Sequence, residues 1–314
     1  MKRLDRTTAA LLASLVLLLA GGPFLPEWAL FLVTNSLAKG LVVLGLLLLM
    51  RTGLVSFGQG LYFAVGAYAA GMMPRAPGLS DALALMLAGG VAAGVVAALC
   101  GLLLARYRGI FFAMLSLAFS MILYGLLVKT SVLGSTDGFN VAARTVLGVA
   151  AGGAYGRYAV FALTVATAFA AGFLLHRFLG SHLGRLAPAI RDNELRVEYM
   201  GASVRNVVHL NLVIAGILAG AGGALTGVTV GHIDPEMAYW TTSGEFVFVA
   251  ILSGTASVLA PFLGSVLLEL LRSFAYEYSP NTWQLVVGGA MLLVILFLPN
   301  GLWSVFGRWR KVLR

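Results

Sequence analysis

Nearly the whole chain consists of consecutive apolar segments of about 20 residues. A helix of that length crosses a bilayer core roughly 30 Å thick. The chain has 314 residues, of which 60% are hydrophobic, and a mean hydropathy of +0.95. A membrane β-barrel would instead show segments of alternating polarity about 10 residues long, and the sequence has no such pattern. We therefore predict an all-α, polytopic membrane protein embedded in a lipid bilayer.

We predict about ten membrane-spanning helices, which together form one transmembrane domain over residues 1–314. An even number of spans places both termini on one side of the bilayer. Basic residues concentrate on that side, whereas Arg75, Arg144 and Arg157 lie in the predicted external connections. The positive-inside rule then predicts that both termini are cytoplasmic. The predicted spans are residues 8–25, 29–50, 54–73, 82–105, 109–130, 157–179, 206–231, 244–259, 262–278 and 281–299.

Two features of this topology stay open at the level of sequence. Residues 1–22 resemble a cleaved secretory signal as well as a first span, and we favour the uncleaved span. Five spans on each side of the long connection at residues 131–156 would have opposite orientations, as in the inverted repeats of transporters. The halves share only a faint similarity between RTGLVSFGQG and LSGTASVLAPFLGS, so a five-plus-five repeat and its absence are both compatible with the sequence.

The net charge of +9 does not indicate nucleic-acid binding, because the basic residues lie at the ends of spans rather than on one soluble face. Cys100 is the single cysteine and lies in an apolar segment, so an internal disulfide is excluded. The four histidines are scattered, and the sequence contains no HExxH motif and no GxxxxGK[ST] nucleotide loop. We therefore predict no metal site, no cofactor and no catalytic residues.

Glycine is concentrated in two of the predicted spans. The third span and the residue before it contain five glycines, together with Gln59 and Tyr62. It is interpreted either as a tightly packed helix or as a bent helix that lines a translocation path, and Gln59 and Tyr62 are candidates for that path. The seventh span presents a stripe of small residues that predicts close helix packing, formed by Gly216, Gly220, Gly223, Gly227 and Gly231.

Charged residues inside predicted spans are the other candidates for function. Lys39 lies near the middle of the second span, one turn after Asn35. A charge at the centre of a membrane helix is costly, so both residues are expected to face protein or water on a translocation path. Glu269 and Arg272 are three residues apart and are predicted to form an intramembrane ion pair on one helix face. Glu245 is expected near the external edge.

The most polar part of the chain is residues 181–205, which we call the polar loop. It lies between two long apolar spans on the predicted cytoplasmic side. Residues 189–200 are expected to form a short helix, with Asp192 and Glu194 near its positive end and Gly201 ending it. Because the chain lacks a nucleotide site of its own, it must follow an ion gradient or borrow an ATPase. The loop favours the second, although a merely solvated loop is the alternative.

Six segments in order along the chain resemble the LivM family, the M-type permease subunits of branched-chain amino-acid ABC importers. They are TGLVSFGQGLYFAVGAYAAG, RYRGIFFAMLSLAFSMILY, GSTDGF, AIRDNELRVEYMG, WTTSGEFVFVAILSGTASVLAPFLGSVL and WQLVVGGAMLLVILFLPNGLW. The resemblance implies an all-helical permease in a bacterial inner membrane. It also implies a homologous H-type permease subunit, two cytoplasmic ATPase subunits that bind ATP, and an external solute-binding protein as partners.

The AIRDNELRVEYMG segment resembles the family's cytoplasmic loop that docks an ATPase. The resemblance assigns this coupling role to Ala189, Arg191, Asp192, Asn193, Glu194 and Gly201. Related permeases serve urea or short amides, so the solute stays open among these and branched-chain amino acids. A gradient-driven secondary transporter is the alternative class, and an intramembrane enzyme is disfavoured because no cluster of nucleophile, base or metal ligands is visible.

Overall fold

A computed structural model describes residues 5–73, 81–141, 145–146, 148–150, 153–278, 280–298 and 301–304. The helices in these residues account for most of the fold, as the all-α prediction requires. They are α1 (Arg6–Gly21), α2 (Glu27–Arg51), α3 (Gln59–Met72), α4 (Ala82–Leu104), α5 (Gly109–Lys129), α6 (Gly153–Gly180), α7 (His182–Asp192), α8 (Glu194–Tyr199), α9 (Val204–Val230), α10 (Trp240–Ser253), α11 (Ala260–Tyr278) and α12 (Trp283–Phe297).

Short strands occur only in connections between helices within the described ranges. Strand β1 (Phe139–Asn140) pairs antiparallel with β4 (His232–Ile233), and this ladder joins the α5–α6 connection to the segment after α9. Strand β2 (Thr145–Val146) pairs antiparallel with β3 (Val149–Ala150). These two-residue ladders leave the all-α class unchanged.

Among the residues that the structure describes, six helical segments are long and apolar enough to cross a membrane. They are α1 with the turn after it, α2, α4, α5, α6 and α9. The other four predicted spans are also helical, but α3, α10 and α12 have only 14 or 15 residues, and α11 carries Glu269 and Arg272. The structure therefore supports a polytopic helical membrane protein, while the count of ten spans stays a prediction. Both chain termini lie outside the described residues.

Helix α9 lies at the centre of the bundle and packs against α2, α3 and α4. Its packing is close because glycine removes the side chain where backbones meet. A β-carbon on Gly45 of α2 would lie 2.9 Å from the Cα and carbonyl oxygen of Ala215, and one on Gly66 of α3 would lie 2.5 Å from the carbonyl carbon of Gly220. The close packing of α2 and α3 on α9 therefore depends on both glycines.

Two predicted spans include residues that are not helical, one at its start and one at its end. The third predicted span started at residue 54, but the chain is not helical over residues 54–58 and α3 begins at Gln59. Gly53 has a φ of +79° just after α2, a conformation that ends a helix. The eighth span, predicted over 244–259, instead ends at Ser253, where Gly254 has a φ of +78°. In both places a glycine in a positive-φ conformation follows the end of the preceding helix, and the predicted boundary differs from the observed one.

The two interruptions contact each other through Arg51. This last residue of α2 donates from Nε and Nη2 to the carbonyl oxygen of Thr255, at 2.9 and 2.7 Å. The carbonyl belongs to the non-helical segment between α10 and α11, where backbone acceptors lack helical partners. Arg51 therefore ties the end of α2 to that segment.

Candidate functional sites in the membrane and the polar loop

The polar loop folds into two helices rather than the single helix predicted over 189–200. Ser181 caps α7, and its hydroxyl accepts a hydrogen bond from the Gly184 amide. Asn193 interrupts the helix with an extended backbone and caps α8 by accepting from the Arg196 amide at 2.9 Å. The prediction is corrected because an Asn side chain competes for backbone amides and favours a cap over a helix interior. Gly201, with a φ of +85°, follows the end of α8.

Two of the predicted coupling residues anchor the polar loop to the membrane helices. Glu194 accepts a hydrogen bond from Arg108 Nε at 2.6 Å, which ties α8 to the connection between α4 and α5. Arg191 lies against Gly53, where a β-carbon would be 3.2 Å from Arg191 Cγ. These contacts border a cleft of about 190 Å³, which Thr52, Asp192 and Asn193 also line.

The surface of the polar loop divides into an inner and an outer face. Ala187, Ile190 and Val197 are buried, so one face of α7 and α8 packs on the bundle. Of the residues predicted for coupling, Arg191, Asp192, Asn193 and Gly201 are exposed, whereas Ala189 and Glu194 are half-buried. Large apolar side chains are exposed beside them, at Leu195, Tyr199 and Met200.

Sequence reasoning did not single out these three apolar residues, which we call the apolar knob (Leu195, Tyr199 and Met200). Their signal in the sequence is the spacing of 195 and 199 on one face of a short helix. Tyr199 is 89% exposed, a high value for an aromatic side chain. The fold therefore presents an apolar projection at the most polar part of the chain.

A network of four charges joins α2, α10 and α11 within the bundle. Lys39 Nζ lies 3.2 Å from Glu269 Oε2 and 3.7 Å from Glu245 Oε1. Glu245 Oε2 accepts from Arg272 Nη2 at 2.7 Å. Asn35 Nδ2 donates to Glu269 Oε1 at 2.8 Å. We call Lys39, Glu245, Glu269 and Arg272 the charge network, and its formal charge is zero.

The structure bears on two predictions about these charges. Glu269 pairs with Lys39 on α2, and Arg272 pairs with Glu245 on α10. The pairing of Glu269 with Arg272 on one helix face stays a prediction. Glu245, expected near the external edge, instead contacts the central residue of α2. Spacing along one helix could not show these pairs, because their partners lie on different helices, 230 residues apart for Lys39 and Glu269 and 27 for Glu245 and Arg272.

The four residues predicted for a translocation path fall into two places. Asn35 and Lys39 meet at the charge network. Gln59 and Tyr62 lie in α3 and are buried to 0% and 1% exposure. The Gln59 side-chain amide has no hydrogen-bond partner among the described residues, and the neighbouring Gly60 amide donates to Ser243 Oγ at 2.9 Å. Asn35 and Lys39 therefore lie at the charge network, whereas Gln59 and Tyr62 lie in the packed core, and the translocation-path role of all four stays a prediction.

The glycine stripe of α9 contacts two helices and one strand. Gly216 and Gly220 lie against Ala97 and Ala93 of α4, and Gly223 lies against the carbonyl oxygen of Phe63 in α3. Gly227 packs on Ile233 of β4, where a β-carbon would lie 3.0 Å away. Gly231 differs from the rest, because it ends α9 with a φ of +76°. Four of the five glycines thus mediate packing, and the fifth terminates the helix.

No three His, Cys, Asp or Glu side chains come together as a metal site in the part of the chain that the structure describes. The expectation that the chain itself needs no metal or cofactor stays a prediction.

Comparisons with known proteins bear on this fold. The family described as the permease component of the branched-chain amino acid transport system matches residues 29–296. The high-affinity branched-chain amino acid transport system permease protein LivM of Escherichia coli K12 is 29% identical over 287 residues. LivM of Salmonella typhimurium LT2 has the same identity. Each alignment covers 83% of this chain but 65% of the relative, so the chain spans less than two thirds of the length of these relatives. No solved structure matches the chain.

Proposed function

Because this chain belongs to the family of permease components of branched-chain amino acid transport systems, we propose that it is the membrane-spanning permease subunit of an ABC importer. In this proposal it forms a path for branched-chain or closely related amino acids. Separate ATPase subunits supply the energy, so the chain itself is not an enzyme and binds no cofactor.

The observation that supports coupling to an ATPase is the anchoring of the polar loop. Its two helices project the apolar knob outward, while Glu194 and Arg191 contact the connections that follow α4 and α2. A force on the knob would therefore act on both connections. Exposed aromatic and large apolar side chains are the residues that most often dominate a protein–protein contact. We propose that an ATPase subunit binds the knob and moves the bundle through these two contacts.

The finer topology belongs to the same proposal. We propose ten spans in the inner membrane of a bacterium, with the polar loop and both termini in the cytoplasm. The short helices α3 and α10 agree with the interrupted helices that many transporters place beside a solute path. The partners would be a homologous H-type permease subunit, two ATPase subunits and an external solute-binding protein. An inverted repeat of five plus five helices is part of the proposal and rests on the sequence.

The proposal is tested at Tyr199, whose side chain is almost fully exposed and whose truncation therefore spares the fold. We expect Tyr199→Ala to weaken ATPase binding by about 2 kcal/mol, or roughly 30-fold in Kd, because hot-spot aromatic residues carry such energies. The control is Leu183→Ala, which removes an exposed apolar side chain from α7 in the same loop.

The measurement is copurification of the ATPase subunits with the permease, together with ATP-dependent uptake in vesicles. The proposal requires both to fall in Tyr199→Ala and to persist in Leu183→Ala. Normal copurification and uptake in Tyr199→Ala would overturn the assignment of the polar loop.

A further inference from the structure

The charge network lies at mid-depth in the membrane. Lys39 is 12 residues from Glu27 and 12 from Arg51, the ends of α2, so it lies about 18 Å from either end of a helix long enough to span the bilayer. Helix α11 runs antiparallel to α2, because Phe262 lies against Gly40 whereas Glu269 bonds Asn35. Glu269 therefore also lies near the middle of the bilayer.

The network is not sealed inside the chain. The side chains of Lys39, Glu245, Glu269 and Arg272 are 15% to 28% exposed. Each charge that faced lipid at this depth would cost about 2.5–3.5 kcal/mol on insertion scales. The open side of the network must therefore face water or another polar surface.

Polar residues continue from the network along one face of α11. Ser273 and Tyr276 follow Glu269 and Arg272 at four-residue spacing, and both are exposed. On α10, exposed Thr241 precedes Glu245 by one turn. We call the six residues Thr241, Glu245, Glu269, Arg272, Ser273 and Tyr276 the polar seam.

The seam on α11 runs from mid-depth to one surface of the bundle. Since α11 is antiparallel to α2, its end at Tyr278 lies at the level of Glu27. The opposite end of α2 approaches the polar loop, where Gly53 contacts Arg191. The seam therefore opens on the side of the membrane away from the polar loop.

The exposed face of α4 shows what a lipid-facing surface of this chain looks like. Leu87, Val91, Val95 and Leu99 recur at four-residue spacing, and each is more than half exposed. That stripe is wholly apolar, as contact with hydrocarbon requires. The contrast between the two faces distinguishes the seam from a lipid contact.

We propose that the polar seam is the wall of an aqueous path and that the charge network is a binding site for a zwitterionic solute. This inference rests on the proposed function and adds the site and the chemical class. An ammonium group would bond the carboxylates of Glu245 and Glu269, and a carboxylate would bond Lys39 and Arg272. These charge-assisted bonds are stronger than those that an uncharged amide makes.

Two further observations agree with this class of solute. The network is formally neutral, so a solute without net charge leaves no uncompensated charge at mid-depth. Asn35 is 5% exposed and bonds Glu269 through its nitrogen, but its side-chain oxygen has no hydrogen-bond partner among the described residues. That oxygen is an unsatisfied acceptor beside the network.

The experiment is thiol labelling of single cysteines in membranes that contain the complete transporter. Cys100→Ala removes the native cysteine, and Ser273→Cys then reports on the seam. Leu87→Cys is the matched control, because Leu87 is five residues from the start of α4 at Ala82 and Ser273 is five residues from the end of α11 at Tyr278. The probe is a water-soluble, membrane-impermeant methanethiosulfonate.

We expect Ser273→Cys to react about tenfold faster than Leu87→Cys, because only a hydrated thiol forms the reactive thiolate. Leucine should protect Ser273→Cys, whereas isovaleramide, a neutral amide with a similar carbon skeleton, should not. Equal and slow labelling at both positions would overturn the aqueous path. Protection by the amide alone would overturn the zwitterion site. The Tyr199→Ala result does not depend on the seam, so failure here and failure of the proposed function are distinguishable.

Discussion

Replacing Gly66 with alanine perturbs the closest approach between α3 and α9. A β-carbon on Gly66 would lie 2.5 Å from the carbonyl carbon of Gly220, with the oxygen and Cα of Gly220 nearer still. All of these are backbone atoms, so no side-chain rotation relieves the overlap. An ordinary contact begins at 3.4 Å, and the two helices would therefore have to part by at least about 0.9 Å.

Forcing extra volume into a packed interior costs about 1–3 kcal/mol. Since both sides of this contact are backbone, we expect the upper value, about 3 kcal/mol, for Gly66→Ala. The matched control is Gly125→Ala in α5, where a β-carbon would meet nothing within 4 Å. That change should stabilise the protein by about 0.5–1 kcal/mol, because alanine is a better helix former than glycine.

The assay is thermal unfolding of the detergent-solubilised protein, followed by the loss of monodisperse material in size-exclusion chromatography. We expect Gly66→Ala to lower the Tm by roughly 6 °C or more, at about 2 °C per kcal/mol. The Tm of Gly125→Ala should equal or exceed that of the parent protein. If Gly66→Ala has the same Tm as Gly125→Ala, the close packing of α3 on α9 does not depend on Gly66 and the account is refuted.

Three further changes test other parts of the structure in the same unfolding assay. Lys39→Met should destabilise by about 3 kcal/mol, the lower end of the range for a buried pair, because it leaves partly buried carboxylates uncompensated. Adding Glu269→Gln should recover part of the loss, and an additive double variant would contradict the pairing. Arg51→Met should cost about 1–3 kcal/mol by leaving the Thr255 carbonyl unpaired, and an unchanged Tm would argue against that tie. Gly201→Ala should cost about 1–2 kcal/mol through its positive φ, and a neutral result would disprove that strain.

The long helices could be predicted from the sequence because each is specified locally. Helices α2, α4, α5, α6 and α9 are continuous apolar segments, and the length that a bilayer requires sets their extent. The interruption before α3 was harder to place. Gly53 precedes it and Gly58 is its last residue, but the same glycines also suit a packed helix, so composition did not decide between an interruption and a continuous helix.

The charge network could not be predicted, because its geometry comes from tertiary contacts. Lys39 and Glu269 are 230 residues apart, and three-residue spacing favoured the pairing of Glu269 with Arg272 instead. Pairing across helices gives both cations and both carboxylates an opposite charge, and charges that are largely removed from water need such partners. The break at Asn193 did have a local signal, since asparagine is a preferred helix cap.

The central claim is that this chain is a permease whose energy arrives from separate ATPase subunits. The most direct measurement is uptake of radiolabelled leucine into liposomes that contain the purified chain. Under an imposed proton or sodium gradient, the chain alone should accumulate no solute. Addition of the partner permease, the ATPase subunits, the solute-binding protein and ATP should start accumulation. Uphill uptake by the chain alone would contradict the claim.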